Sequence, residues 1–292
     1  MCRLYGLQAT HPTRPACELL EAQNALIQQS REDARGLSNP HGWGMGHVAN
    51  GTTGCFRQVQ PASESVDYRE EALRTEGTTV LAHVRRATVG DPEHANTHPF
   101  RHGAALLIHN GHVPAFDAVR PRLLDRLSEE RRSFVRGRTD SEHVFALLLQ
   151  VRDEHPDESL SATTRRATRQ VQSWVRAADA TATVEATDID FQALSHDALV
   201  DILGLNLLWT DGNALAGTRL NRTLWALERT EVPTCSVCGH DHAHPPEDEP
   251  YRSTTLASER LTDENWRAVP NGSVFHVDPD GTFHPDALDA AQ

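Results

Sequence analysis

The 292-residue sequence predicts an α+β fold in which mainly antiparallel sheets stack on one another and helices lie outside them. Short apolar runs and tight turns dominate the first half, helical patterns occupy the middle, and strand patterns return in the last third. A parallel βαβ series would alternate strands and helices along the whole chain. Neither a dinucleotide-binding glycine motif after the first strand nor a P-loop occurs, so the common nucleotide-binding folds are not indicated.

The first half of the chain supplies several of the predicted strands. Short apolar runs bounded by turn residues predict four of them, at 2–7, after the glycine-rich turn 39–46, at 77–83 and at 104–109. Between the first two strands, apolar residues recur at helical spacing, at Ala16, Leu19, Leu20 and Ile27.

Helices are predicted in the middle of the chain, and strands return after them. Residues 115–135 have a charged helical pattern, and Thr139-Asp140-Ser141-Glu142 fits a helix capping box before an apolar run. Residues 154–200 mix polar and helical segments. The later strands are predicted at 205–210, 214–218, 224–228, 274–277 and 282–283.

The composition argues against nucleic-acid-binding, membrane and disulfide-rich proteins. The net charge is −13 and every basic residue is arginine, which fits either a salt-rich cytoplasm or the codon bias of a GC-rich genome. An acidic surface argues against a nucleic-acid partner. No apolar run approaches the ~20 residues of a membrane span, and no signal peptide is visible, so we expect no membrane association and a cytoplasmic location. Five cysteines in such a chain do not suggest a disulfide framework.

The second residue, Cys2, is the most informative position. If Met1 is removed, Cys2 carries both a thiol and a free α-amino group. The thiolate is a strong nucleophile, and an α-amine with a pKa of about 8 can serve as a base at neutral pH. A small residue packed in a first strand would look the same, so the rest of the chain must distinguish the two interpretations.

Four further segments lie at predicted strand or helix ends, where sites are commonly built: 39–46, 83–90, 109–113 and 139–142. The middle two read His83-Val84-Arg85-Arg86-Ala87-Thr88-Val89-Gly90 and His109-Asn110-Gly111-His112-Val113. In this order and together with Cys2, the segments resemble the class II glutamine amidotransferases, a branch of the N-terminal nucleophile hydrolases. The resemblance covers most of residues 2–150, has a further echo at 209–212, 257–259 and 266–272, and is strongest to stand-alone members, which lack a fused synthase domain.

The resemblance implies a four-layer αββα sandwich of the N-terminal nucleophile hydrolase type. It implies a single glutamine amidotransferase domain over residues 1–292. Within that domain we expect variable helical insertions at 115–137 and 154–200, and a polar loop at 235–250.

The resemblance also implies catalytic roles. Cys2 would attack the γ-carbonyl of a glutamine-like substrate to form a thioester, and its own α-amine would move the proton. Asn110 and Gly111 match the family's oxyanion hole, although Asn-Gly is also a common turn between strands. No cofactor is needed for this chemistry.

The implied substrate-binding residues carry opposite charges. Arg85 matches the arginine that holds the substrate α-carboxylate, and Thr88 would add a hydroxyl to the same group. Asp140 matches the acid that receives the α-ammonium, although an acid in the first turn of a helix is also favoured by the helix dipole. Fused synthase members usually have Trp where Arg86 stands and His where Val89 stands, so the far side of the substrate is in doubt.

A separate feature lies in the polar loop. Cys235 and Cys238 have the Cys-x-x-Cys spacing of two thiolate ligands, and His240 and His242 could complete a tetrahedral structural zinc site. The resemblance does not supply this site, and a His-rich loop with incidental cysteines is the alternative.

The sequence therefore predicts an amidase that cleaves a γ-glutamyl amide, with a small γ-glutamyl compound as substrate. If glutamine is the substrate, a separate ammonia-accepting synthase subunit is an expected partner. One alternative is a γ-glutamyl hydrolase of ergothioneine- or glutathione-related thiol metabolism, as in some stand-alone relatives. The other is a non-catalytic scaffold that keeps the fold.

Overall fold

The computed structural model describes residues 2–191, 193–232 and 234–289. Its named strands pair in antiparallel fashion, as the sequence predicts. The strands are β1 (Arg3–Thr13), β2 (Trp43–Ala49), β3 (Thr52–Gln58), β4 (Gly77–Val84), β5 (Phe100–His102), β6 (Ala105–His112), β7 (Gly204–Thr210), β8 (Leu215–Arg219), β9 (Trp225–Arg229), β10 (Ser253–Ala257), β11 (Arg267–Ala268), β12 (Ser273–Val277) and β13 (Phe283–Ala287).

The helices fall into an early group and a middle group. They are α1 (Ala16–Leu20), α2 (Leu26–Arg31), α3 (Val66–Arg74), α4 (Phe116–Arg126), α5 (Glu129–Phe134), α6 (Asp140–Glu154), α7 (Leu160–Ala178) and α8 (His196–Leu199). Within the described residues, no helix combines the length and the apolar character that crossing a membrane requires.

The strands form two sheets. The first has the order β11-β9-β10-β1-β4-β2-β3, and the second has the order β13-β12-β8-β7-β6-β5. Strands β1 and β4 of the first sheet and strands β6 and β7 of the second therefore each lie between other strands. Cys2 directly precedes β1, the segment 83–90 begins on β4, and the segment 109–113 begins on β6, whereas Asp140 begins α6.

Successive side chains on each strand point to opposite faces of the sheet, and the packing on these faces gives the molecule four layers. On β1, Leu4 faces the space between the sheets and packs in one cluster with Leu106 and Leu208 of the second sheet. The next residue, Tyr5, points to the opposite face, because successive strand residues alternate. It packs in the cluster that contains residues of α1, α2 and α3.

The middle group of helices covers the outer face of the second sheet. Leu107 and Trp209 of that face pack with buried residues of α4, α6 and α7 in one apolar cluster. The Trp209 indole N–H donates to Thr164 Oγ1 of α7 at 2.7 Å, which satisfies its buried polar atom. The predicted αββα arrangement is thus confirmed. The regions predicted as insertions, 115–137 and 154–200, hold α4, α5, α7 and α8.

Several bounds differ from the prediction. Strand β1 continues to Thr13, past a register shift between Gln8 and Thr13. Strand β6 continues to His112, because β7 pairs with it beyond Asn110, so Asn110 and Gly111 lie inside a strand. Strand β10 was not predicted, since its Ser-Thr-Thr run lacks the apolar character of a buried strand although all five residues are buried.

The capping box at the start of α6 forms in part. The Thr139 hydroxyl accepts from the Glu142 amide at 3.2 Å, as the motif predicts. The Glu142 carboxylate accepts from the amides of Arg136 and Gly137, at 3.1 and 2.6 Å, and so holds the preceding loop.

Candidate active site

Strand pairing places Cys2 beside Arg85. Cys2 directly precedes β1 and Arg85 directly follows β4, and the register pairs Arg3 with Val84. Because the two strands are antiparallel, the start of one and the end of the other meet at the same edge. The half-buried Cys2 Sγ lies 3.3 Å from the Arg86 amide nitrogen, which can donate to a thiolate.

Arg3 anchors the residue that precedes it. Its guanidinium donates to the Cys2 carbonyl at 3.0 Å and pairs with Glu259 at 2.6 Å and with Asp33 at 2.9 Å. All three charged side chains are buried, so the cation compensates two carboxylates away from water. Sequence reasoning missed this role, although an arginine inside an otherwise buried strand was a visible signal.

Arg85 is wrapped by the loop that follows it. Its guanidinium donates to the carbonyls of Val89, Gly90 and Asp91 at 3.0, 3.0 and 3.1 Å. Burial lowers the pKa of Arg85, while the nearby Cys2 and Asp140 oppose that shift. The side chain of Arg86 points away from that of Arg85 and donates to the Ser38 carbonyl. Opposite directions are expected for consecutive side chains at a strand end.

The glycine-rich segment 39–46 supports Arg85 from the other side. The His41 amide donates to the Arg85 carbonyl at 2.9 Å, and the Arg85 amide donates to the Gly42 carbonyl at 2.7 Å. His41 Nδ1 accepts from the Ala87 amide at 2.8 Å, which requires an unprotonated nitrogen. Burial and the charges of Arg85 and Arg86 lower the pKa of His41, which is consistent with that role.

Asp140 is the first residue of α6 and is fixed by backbone amides. Its Oδ2 accepts from the Val113 amide at 2.9 Å, and its Oδ1 accepts from the Ser141 amide at 2.8 Å. The position also benefits from the positive end of the helix dipole. The carboxylate is buried, yet it borders the cavity that also contains Cys2.

A buried histidine orients the neighbour of Asp140. His109 Nε2 lies 3.0 Å from the Gly204 carbonyl, and His109 Nδ1 lies 2.8 Å from Ser141 Oγ. Burial lowers the pKa of His109, so we assign the neutral ring with its proton on Nε2. The Ser141 hydroxyl then donates to Nδ1, and Asp140 Oδ1 keeps capacity for a further donor.

Asn110 and Gly111 lie next to this cluster on β6. The Asn110 amide nitrogen donates to Ser258 Oγ at 3.3 Å, and the same oxygen accepts from the Leu4 amide at 3.1 Å. Ser258 therefore links Asn110 to the strand that begins after Cys2. Glycine is required at 111, because a Cβ there would overlap the Gly204 carbonyl oxygen across the sheet.

A single small cavity, with about 20 Å³ of free space, brings most of the predicted residues together. Cys2, Arg85, Thr88, Gly111 and Asp140 all line it, and Asn110 lies adjacent to Gly111 without lining it. The cavity thus combines a thiol, a cation and an anion within reach of one small molecule.

Buried histidines lie in and behind one wall of the cavity. His98 lines it, packs against the tilted ring of His83 with ring centroids 4.2 Å apart, and meets Phe100 edge-on. Burial lowers the pKa of His83 to about 3 and that of His98 well below its ordinary value. These rings are therefore neutral at physiological pH.

The residues predicted to bind zinc lie elsewhere, by the opposite end of β1. Cys235, Cys238 and His242 come together as predicted, but the fourth member of the group is Cys17. The side chain of His240 is outside the group, since its carbonyl instead closes the turn by accepting from the Cys235 amide at 3.1 Å. Sequence reasoning missed Cys17 because it lies more than two hundred positions away.

Comparison with protein families gives a match over nearly the whole chain. Residues 1–286 match the family described as glutamine amidotransferases class-II. The probable glutamine amidotransferase DUG3 of Saccharomyces cerevisiae is 26% identical over 95% of this chain and 82% of its own length. The γ-glutamyl-hercynylcysteine sulfoxide hydrolase of Mycobacterium tuberculosis is 33% identical over 39% of this chain, which spans half of that relative's length.

Solved structures show the same fold at low sequence identity. A glutamine aminotransferase class-II domain protein from Silicibacter pomeroyi superposes with a TM-score of 0.59 at 18% identity, covering 99% of this chain and all of the other. Glutamine phosphoribosylpyrophosphate amidotransferase from Bacillus subtilis gives a TM-score of 0.59 at 13% identity, with 99% of this chain covering 50% of that one.

Proposed function

Because the chain belongs to the class-II glutamine amidotransferases, we propose that this enzyme cleaves the γ-amide of glutamine, or of another γ-glutamyl compound, with Cys2 as its nucleophile. The observation that carries the proposal is the cavity in which Cys2 faces the opposite charges of Arg85 and Asp140. The amidotransferase fold and the amide chemistry of the family support it. The non-catalytic scaffold is not favoured, because every residue needed for the reaction is present at or beside this cavity.

The reaction begins with removal of Met1, which lies outside the described residues. The freed α-amine of Cys2 takes the thiol proton, and the sulfur attacks the γ-carbonyl carbon. The Asn110 amide and the Gly111 N–H donate to the oxyanion of the tetrahedral intermediate. The intermediate then expels ammonia or an amine, which receives the proton from the α-ammonium of Cys2. Water hydrolyses the resulting thioester and releases glutamate.

Substrate selection follows from the two charges. Arg85 binds the α-carboxylate of the substrate, and Thr88 adds its hydroxyl to the same group. Asp140 binds the α-ammonium through the capacity that remains on Oδ1. A free amino-acid head is thereby required, so simple amides are poor substrates.

The leaving group distinguishes two versions of the proposal. If glutamine is the substrate, the released ammonia would pass to a separate synthase subunit. The relative named as a γ-glutamyl-hercynylcysteine sulfoxide hydrolase favours a second candidate, in which the amine of a larger γ-glutamyl compound leaves. The cytoplasmic location predicted from the sequence suits either role.

A substrate panel tests the proposal. Glutamate release is measured from glutamine, glutathione and a γ-glutamyl thio-histidine compound, and glutarate release from glutaramate, which lacks the α-amine. We expect turnover of at least one γ-glutamyl compound and poor turnover of glutaramate. Cys2→Ala abolishes the activity, whereas Cys55→Ala, which removes a thiol outside the cavity, preserves it.

Two results would contradict the proposal. Activity that survives Cys2→Ala would show that another residue is the nucleophile. Equal turnover of glutaramate and glutamine would show that Asp140 does not bind the substrate α-ammonium.

A further inference from the structure

Four metal-binding side chains meet at the far end of β1, well away from the active site. They are Cys17 of α1 and Cys235, Cys238 and His242 of the polar loop, and their ligand atoms all lie within 4.8 Å of one another. We propose that these four residues bind one Zn²⁺ ion as a Cys₃His site.

The spacing of the donors suits this ion. Zn²⁺ binds sulfur at about 2.3 Å and imidazole nitrogen at about 2.0 Å, so neighbouring ligand atoms in a tetrahedron lie roughly 3.5–3.8 Å apart. Cys238 Sγ and His242 Nε2 are 3.3 Å apart, close to that separation. Three thiolates and one imidazole form a soft donor set of the type that selects zinc.

The loop is already folded as a metal-binding knuckle. The Val237 amide donates to Cys235 Sγ at 3.4 Å, and the Gly239 amide donates to the Cys235 carbonyl at 2.8 Å. Gly239 has a φ of +74°, a left-handed conformation that glycine adopts without strain. This tight turn directs the sulfurs of Cys235 and Cys238 toward the same point, and the N–H to sulfur bond stabilises a thiolate.

Both ligand-bearing segments are attached to the end of β1. The Arg14 amide donates to the His242 carbonyl at 2.9 Å, and Thr13 forms an isolated antiparallel bridge with Ala243. The buried Cys17 follows three residues after Arg14 on α1. A bound ion would therefore fasten α1 to a loop that is more than two hundred positions away in the sequence.

The site is structural rather than catalytic. All four positions of a tetrahedral ion are filled by protein ligands, which leaves none for substrate or water. Cys2 and the metal-binding residues lie at opposite ends of the eleven-residue β1, so a separation of roughly 30 Å is expected from the strand rise. The ion would stabilise the layer formed by α1 without contacting the substrate.

Metal analysis of untagged protein tests the proposal. We expect about one zinc per chain after dialysis, and loss of that zinc in Cys17→Ser and His242→Ala. His240→Ala removes a neighbouring imidazole outside the group and retains the zinc, as does Cys55→Ser. Protein that stays free of zinc after incubation with zinc chloride would overturn the proposal. Retention in Cys17→Ser together with loss in His240→Ala would overturn the ligand set.

A second measurement uses the unmutated protein, in case the variants fail to fold. Cobalt substituted for zinc should give the sulfur-to-metal charge-transfer bands and intense ligand-field bands of a tetrahedral thiolate site. Removal of the metal by a chelator should expose three additional thiols to a thiol reagent and lower the Tm. A disulfide among these cysteines in freshly purified protein, or no change in thiol count on chelation, would contradict a Cys₃His site.

Discussion

Asn110 and Asp140 each depend on a serine for their orientation. Ser258 Oγ accepts from the Asn110 amide at 3.3 Å; the backbone amide of Ser141 donates to Asp140 Oδ1 at 2.8 Å, and its hydroxyl donates to the buried ring of His109. Neither serine is assigned a chemical role in the reaction. Ser258 acts through the Asn110 side chain that it holds, so its removal should alter catalysis without removing a reacting group.

At the residue scale we predict that Ser258→Ala lowers kcat about ten- to a hundredfold and leaves KM nearly unchanged. The change frees the side-chain amide of Asn110, the proposed oxyanion donor, and leaves in place Arg85 and Asp140, which we propose bind the substrate head. Steady-state kinetics on the best substrate of the panel measure both constants. Ser273→Ala is the control, because Ser273 lies on β12 and its hydroxyl donates to the Pro270 carbonyl, away from the cavity. An unaltered kcat in Ser258→Ala would show that Ser258 does not position Asn110 for the reaction.

The residue-level site was partly predictable from the sequence. Cys2, Arg85 and Asp140 stand in short local motifs, and the cavity contains all three. Ser258 lies in the segment 257–259 noted for the resemblance, but its contact with Asn110 could not be predicted, because the two residues are 148 positions apart and meet only where the two sheets stack. The same reason explains why Cys17 was missed and His240 was chosen as a zinc ligand.

At the scale of elements, α6 carries both a structural and a functional task. Its N-cap is Thr139, whose hydroxyl accepts from the Glu142 amide at 3.2 Å, and its first residue is Asp140. The cap therefore fixes the turn on which the proposed ammonium-binding carboxylate stands. Helix α7 has an equivalent cap at Ser159, which accepts from the Ala162 amide at 3.2 Å, but it carries no proposed site residue.

We predict that Thr139→Ala and Ser159→Ala both destabilise the protein by roughly 0.5–2 kcal/mol, since each removes a helix cap. Only Thr139→Ala should also raise KM several-fold, because only α6 positions Asp140. Urea unfolding measures the free energy of unfolding, and kinetics measure KM. An equal rise in KM for Ser159→Ala and Thr139→Ala would show that the cap of α6 has no specific role in positioning Asp140.

The two helices also differ in how well the sequence predicts them. Helix α6 has a capping box and a continuous apolar run, and every residue from Asp140 to Val151 is buried. Helix α7 buries Leu160, Val171 and Val175 among threonines, arginines and alanines, so its apolar stripe is narrow. The buried positions 160, 167, 171 and 175 do recur at helical spacing, but the polar residues within this stripe make it a weaker sequence signal than the apolar run of α6.

At the scale of the whole molecule, the αββα layers enclose neutral histidines. Burial lowers the pKa of His83 to about 3, and lowers the pKa of His98 and His109 as well. In the unfolded chain a histidine titrates near ~6.5, so below that pH the unfolded state binds more protons than the folded state. The free energy of unfolding is therefore highest above about pH 6.5 and falls as the pH drops below it.

We predict that His98→Phe weakens this acid sensitivity. The phenyl ring suits the site between His83 and Phe100, and both ring nitrogens of His98 are buried and lack a partner among the described residues. The slope of unfolding free energy against pH should fall by about 1.4 kcal/mol per pH unit in acid, which is one proton's contribution. Urea unfolding between pH 7 and pH 5 measures it.

The control for this prediction is Phe275→Leu, which alters a buried side chain on β12 without removing a titratable group. It should leave the slope close to that of the unmutated protein. A slope in His98→Phe equal to that of the unmutated protein would show that His98 is not held neutral in the folded state.

Covalent labelling tests the central claim, that Cys2 is an N-terminal nucleophile directed at γ-glutamyl amides, most directly. The protein is treated with a diazo-ketone analogue of glutamine, which alkylates a thiolate with loss of nitrogen, and is examined by intact-mass and peptide mass spectrometry. We predict one adduct per chain, on the Cys2 of a chain that lacks Met1, and protection by excess substrate. An active protein that retains Met1, or labelling of another cysteine with Cys2 unmodified, would contradict the claim.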